Sequence, residues 1–194
     1  MRDARAWTHA ALFGSLWGAA EASLGTVLKA AHIPLAGLVM ASIGVLCLLT
    51  VRRLQPTVGI SLVTGVVAAF LKVFSLGGLV LGPAAGILAE AALVELAMTA
   101  FANSALGAVV GGALALAETP LQMAFTAVVI TGPEAAAALE KAARTLASGI
   151  SLPAASPLAM LAGIAAAAAL VGAAVGGLSW RVAGRVSRRL RGSA

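Results

Sequence analysis

Apolar residues run along this chain in blocks of about 20, the length a helix needs to cross a hydrocarbon layer at ~1.5 Å per residue. Short stretches rich in proline, glycine and arginine separate the blocks. The pattern predicts six helices. The first spans residues 7–29 and ends before "AHIPLAG", where Pro34 disfavours helix at Ile33. The second spans 35–51 and stops at Arg52 and Arg53; the third spans 59–76, after Pro56 and Gly59. The fourth spans 83–102 and opens on Pro83, at the helix position where a missing N–H does no harm. The fifth, 103–131, is interrupted by Glu118-Thr119-Pro120, which predicts a kink or a break. The sixth spans 157–178. Between the last two, "GPEAAAALEKAARTLASG" is too polar to cross a membrane and reads as a short amphipathic helix in the fifth loop, from Pro133 to Gly149. Residues 179–194 form a basic tail into which the sixth helix can continue.

Composition turns this pattern into a class. The chain is 194 residues long, 61% hydrophobic and only 10% charged, with a mean hydropathy of +1.03; a soluble domain carries roughly 25% charged residues. The reading is a single all-α integral membrane domain over 1–194. The runs are too long for the ~10-residue alternating strands of a membrane barrel. The apolar stretch after the basic start is too long for a cleaved signal peptide and contains Glu21, so it reads as the first span. Cys47 is the single cysteine, which excludes an internal disulfide.

The net charge of +6 does not point to nucleic acid, because the arginines sit at span ends, where orientation and lipid headgroups account for them. With six spans, Arg2, Arg5, Arg52, Arg53, Arg181, Arg185, Arg188, Arg189 and Arg191 fall on the side of both termini, and Lys29, Lys72, Lys141 and Arg144 on the other. Both termini are therefore expected in the cytoplasm.

Four ionisable residues lie inside the spans at one depth. Glu21 and Lys72 are each roughly 20 Å from the inner ends of their helices, Glu118 roughly 22 Å, and Glu90 roughly 10 Å below the outer end of its own. Charges within a membrane usually face the bundle interior and one another. The functional reading is a polar pocket beneath the outer loops, in which Glu21, Lys72, Glu90 and Glu118, with His32 in the loop above, bind a small cationic or donor-rich ligand. The plainer reading is a Lys72–glutamate pair that fixes helix register, which leaves two carboxylates unpaired. Glu95, about 140° around the helix from Glu90, receives no role.

Helix one carries two rows of small residues at i,i+4 spacing: Ala10, Gly14, Gly18, Ala22, and Ala11, Ser15, Ala19, Ser23. Such rows let helices approach closely in lipid. The first row is expected to face the bundle and the second to be free to dock another membrane subunit, or else both serve internal packing. Gly172 and Gly176 repeat the motif. His9 and His32 do not make a metal site. The chain lacks a P-loop, a catalytic triad and an HExxH motif, so no enzymatic activity and no cofactor are expected.

This layout resembles the substrate-binding (S) component of energy-coupling factor transporters, small six-helix membrane proteins with both termini in the cytoplasm. The resemblance covers most of the chain. It rests on length, six spans, the small-residue rows of helix one, the "LGPAAGIL" start of helix four and the long fifth loop. It implies that Ala11, Ser15, Ala19 and Ser23 dock a transmembrane coupling subunit, with serines at two positions where alanine is typical of the family. It further implies ATP-hydrolysing partner subunits, a bacterial or archaeal cytoplasmic membrane, and a vitamin, precursor or metal ion captured from outside. Trp17, Phe70, Phe74 and Phe125 are the aromatic residues near the charge layer. The alternatives are a self-sufficient secondary or proton-coupled transporter using the same carboxylates, and a structural or assembly protein whose charges only lock the helices.

Overall fold

In the computed structural model, which describes residues 4–31, 36–74, 81–132, 134, 137 and 156–192, each apolar block is one helix. These are α1 (Ala4–Ala30), α2 (Ala36–Leu54), α3 (Ile60–Val73), α4 (Leu81–Ala100), α5 (Ala105–Thr131) and α6 (Pro157–Gly192). The described residues contain no strand. Four helical stretches are long and apolar enough to cross a membrane: Ala36–Leu54, Gly82–Ala100, Ala105–Val129 and Leu158–Arg189. The apolar α3 has 14 residues, so it is about 21 Å long and shorter than the expected span.

At Pro120 the helix is not broken: α5 runs through it. The sixth helix does continue into the basic stretch from 179 and ends at Gly192. The fifth-loop surface helix lies outside the described residues, apart from Glu134 and Ala137, which are helical and exposed.

The core is apolar, but so is much of the outer surface, and several charges are buried. Leu12, Leu16, Val66, Phe70, Leu96 and Leu170 are exposed on the outside, whereas Arg52, Lys72, Glu90 and Glu95 are buried. Apolar side chains facing outward around internal charges suit a lipid surround.

The helix order around the bundle explains how distant charges meet. α1 packs on α3, α3 on α4, α4 on α5 and α5 on α6, while α2 touches all five others and fills the space between α1 and α6. That central place accounts for the buried Met40, Ala41, Val45, Leu48, Leu49 and Val51 of α2. Small residues set the closest approaches. At Gly14, a Cβ would lie 2.7 Å from Val67 Cβ, and at Gly18 one would lie 2.8 Å from Leu71 Cβ, so α1 lies directly on α3. On α5, Gly107 and Gly111 face α4, while Ala108 and Gly112 meet Gly176 and Gly172 of α6, backbone against backbone. Gly172 and Gly176 thus pack internally, as membrane helices with small-residue rows do.

This contact gives a direct prediction. Gly172→Ala, whose methyl would collide with the Gly112 carbonyl, should lower stability by about 1–3 kcal/mol through overpacking. Gly163→Ala, where nothing lies within 4 Å, should be neutral or slightly stabilising, because alanine is the better helix former. Thermal unfolding of both variants in mild detergent reads the difference.

Candidate functional site

α1 presents Trp17 and Glu21 on one face, one turn apart. Because Gly14 and Gly18 draw α1 onto α3, Lys72 reaches Glu21. The Lys72 ammonium lies 3.1 Å from Glu21 Oε2 and donates to the Glu21 backbone carbonyl at 3.0 Å. Gly25 leaves the room: a Cβ there would sit 3.3 Å from Glu21 Oε2 and 3.8 Å from Lys72 Nζ. Both charged side chains of this pair are largely buried.

Glu90 enters from α4 and has no such partner. It is 7% exposed, and its Oε2 is buried without a hydrogen bond. Beside it stands Trp17, 0% exposed, whose Nε1 is also buried without a hydrogen bond. Gly44 of α2 makes space for both groups. A Cβ at that position would lie 2.8 Å from Glu90 Oε2 and 2.6–2.7 Å from the Trp17 ring. One buried acceptor and one buried donor are therefore brought to the same spot, each short of a partner. Buried polar groups are rarely left so, because each unmade bond costs about 1–3 kcal/mol.

Glu21 and Glu118 are both near enough to act on Glu90 electrostatically; Glu118 is half-buried on α5. The seam between α4 and α5 runs from this point to the Gly82 end of α4. Along α4, Gly82, Gly86 and Glu90 follow at i,i+4 spacing, and along α5 Glu118, Gln122 and Thr126 do the same. The two rows run antiparallel. Gly82 faces Thr126, Gly86 faces Gln122, and Glu90 senses Glu118. Gln122 Nε2 donates to the Gly82 carbonyl at 2.7 Å and to Thr126 Oγ1 at 3.2 Å. A polar seam thus leads from the start of α4 down to Glu90.

Of the four charges, Lys72 and Glu21 meet in an ion pair, while Glu90 feels Glu21 and Glu118 electrostatically and neither Glu90 nor Glu118 pairs with a cation among the described residues. His32 lies outside the described residues. Among the described residues, no three His, Cys, Asp or Glu side chains are grouped to hold a metal ion. Of the four aromatics, only Trp17 joins the layer; Phe70, Phe74 and Phe125 are 62–69% exposed. Ala11, Ser15, Ala19 and Ser23 are all exposed along one stripe of α1, and Ser23 Oγ donates to the Ala19 carbonyl on its own helix.

Sequence reasoning misses two further features. One is the seam residue Gln122. The other is a buried network in which Arg52 and Glu95 approach to 3.3 Å. Glu95 accepts the backbone N–H groups of Gly59 at 2.8 Å and Ser61 at 3.0 Å, as well as the Thr99 hydroxyl. Arg52 also donates to Thr99 Oγ1 at 3.1 Å and to the Thr57 carbonyl. Glu95 thereby caps the N-terminus of α3, whose own Gly59 offers no side chain, and its charge suits the positive end of the helix dipole. Arg52 is not the loose edge residue its position suggests. With every charged atom of Glu95 engaged, this network is a structural clamp.

No protein-family model matches the chain, and no curated protein or solved structure matches it either.

Proposed function

We propose that the chain is a membrane-embedded capture subunit for a small nutrient, with a cationic or hydrogen-bond-donating centre, working with ATP-hydrolysing partner subunits. The observation that carries this reading is the unpartnered Glu90 carboxylate beside the unpartnered Trp17 indole N–H, buried in a bundle whose outer surface is apolar. Glu90 would accept from the ligand's cation or donor, and Trp17 would donate to an acceptor on the same molecule. Glu118 would add negative charge, and the Lys72–Glu21 pair would hold α1 and α3 in place around the site. Gln122 and Thr126 line the packed α4–α5 seam between the Gly82 end of α4 and Glu90. In this reading six helices span a cytoplasmic membrane with both termini inside, and no chemistry is performed on the ligand. The exposed stripe Ala11, Ser15, Ala19, Ser23 is the face for a coupling subunit, with a smoothness that allows a helix to lie close.

A second reading draws on one specific observation. Glu90 lies within electrostatic reach of Glu21 and Glu118, and among the described residues no cation pairs with it. A carboxyl in that setting is suited to carry a proton, as in a self-sufficient proton-coupled transporter.

One experiment separates the two. Purified chain is screened by thermal shift against a panel of small organic cations and divalent metal ions, and the best binder is offered to vesicles containing the chain alone. Capture predicts binding without net uptake, with or without an imposed pH gradient. Uptake driven by that gradient in the absence of any ATPase would establish the second reading instead.

A further inference from the structure

The end of α2 and the last turns of α6 hold a second constellation, far along the chain from the charge layer. The Arg53 guanidinium lies over the Trp180 ring, with Cζ 3.8 Å from the ring centroid. Trp180, Gly184 and Arg188 follow at i,i+4 spacing and form one ridge of α6. Gly184 allows the arrangement: a Cβ there would stand 2.9 Å from Arg53 Nη2 and 3.1 Å from its Cζ. Arg53 is thus held with one face on an aromatic ring and its edge over bare backbone.

The charge balance of this ridge is unusual. Arg188 is close enough to repel Arg53, and among the described residues no carboxylate pairs with either. Glu95, the carboxylate that reaches the end of α2, is committed to Arg52. Arg53 Nη1 is buried and makes no hydrogen bond. Trp180 occupies the face of the guanidinium and Gly184 its Nε side, but Nη1 makes no hydrogen bond, and the fork it forms with Nη2 matches two oxygens of a phosphate or carboxylate. Two adjacent arginines with an unused buried donor are stabilised by an anion placed between them.

We propose that Arg53 and Arg188 form a binding site for a phosphate group on the side of the bundle where α2 ends and α6 runs on. The phosphate can belong to an anionic phospholipid headgroup or be free in solution; the chemistry recognised is the same. Trp180 and Gly184 position Arg53, and the i,i+4 ridge places Arg188 opposite it. This site is independent of the captured nutrient.

The test uses the full chain in a mild neutral detergent, with native mass spectrometry and thermal unfolding as readouts. The probes are phosphatidylglycerol, phosphatidylcholine and inorganic phosphate, with chloride at matched ionic strength. The expected result is a rise in unfolding temperature and a bound mass with phosphatidylglycerol or with inorganic phosphate, beyond that with chloride. Saturation by the lipid alone identifies a headgroup site, and saturation by inorganic phosphate identifies a soluble-anion site. Apparent affinity should fall at least tenfold in Arg53→Gln, in Arg188→Gln, and in Arg53→Lys, which keeps the charge but loses the fork. Arg185→Gln, on the neighbouring exposed ridge, should bind as wild type does. If Arg53→Gln does not fold, the exposed Arg188→Gln carries the comparison. Absence of stabilisation by both phosphate probes overturns the site, and so does an equal loss of affinity in Arg185→Gln, which would mean diffuse attraction to a basic surface.

Discussion

Replacing Arg52 with alanine is expected to destabilise the folded bundle by about 3–5 kcal/mol, the usual cost of leaving one member of a buried ion pair without its partner. Glu95 would then hold an uncompensated charge among apolar helices, with only two backbone N–H groups and Thr99 to solvate it. Glu95→Ala should cost about as much, because it strands Arg52 and also uncaps α3, where a lost cap alone is worth about 1 kcal/mol. The double variant Arg52→Met with Glu95→Leu should recover much of the pair's cost. It should remain less stable than wild type by roughly the value of that cap. Unfolding in detergent of Arg52→Met, Glu95→Leu and their double variant, analysed as a double-mutant cycle, checks this; a coupling near zero would show that the two side chains do not stabilise one another.

The second large effect is a difference in sign between two glutamates of one layer. Glu21→Gln strands Lys72 in the bundle and should cost about 3–5 kcal/mol. Glu90→Gln replaces a carboxyl that has no cation of its own, so stability should hold or rise, since a buried amide is no more costly than a buried carboxyl and far less costly than a carboxylate. Ligand affinity should move the opposite way: Glu90→Gln loses about 10–100-fold, the worth of one hydrogen bond to a charged group. A residue kept only to lock helices would show reduced stability on neutralisation. Thermal unfolding of the two variants side by side, followed by binding measurements on the folded ones, reads both quantities.

Much of this architecture can be read from residue order. Helix positions follow from the lengths of apolar runs, and counting ~1.5 Å per residue places Glu21 and Lys72 at one depth, where they do meet. Depth alone does not reveal rotation about each helix axis. The encounter of Trp17 with Glu90 depends on Gly44 of the central α2 turning its bare face to both, and no local pattern marks that glycine among the 22 in the chain. Likewise, the rows Gly82-Gly86-Glu90 and Glu118-Gln122-Thr126 are each visible as i,i+4 repeats, but their antiparallel register is set only when α4 packs on α5. Arg52 misleads because it ends an apolar run, which is where orientation-setting arginines stand. It is buried because the turn at Thr57–Gly59 folds back against α4. The full extent of α6 is left open by the sequence for a related reason. Its arginines lower the hydropathy without stopping the helix, since Gly184 is spaced to receive Arg53 rather than to end a turn.

Whether Glu90 and Trp17 jointly hold a small solute is tested most directly by mass spectrometry of what stays bound to the chain. Wild type, Glu90→Gln and Trp17→Phe are each incubated with a pool of small organic cations in mild detergent and separated from free solute. Wild type should retain one compound that both variants lose, while Ser15→Leu on the outer stripe of α1 keeps it. Retention of the same compound at equal occupancy in both site variants, or retention of none by wild type, would contradict the assignment.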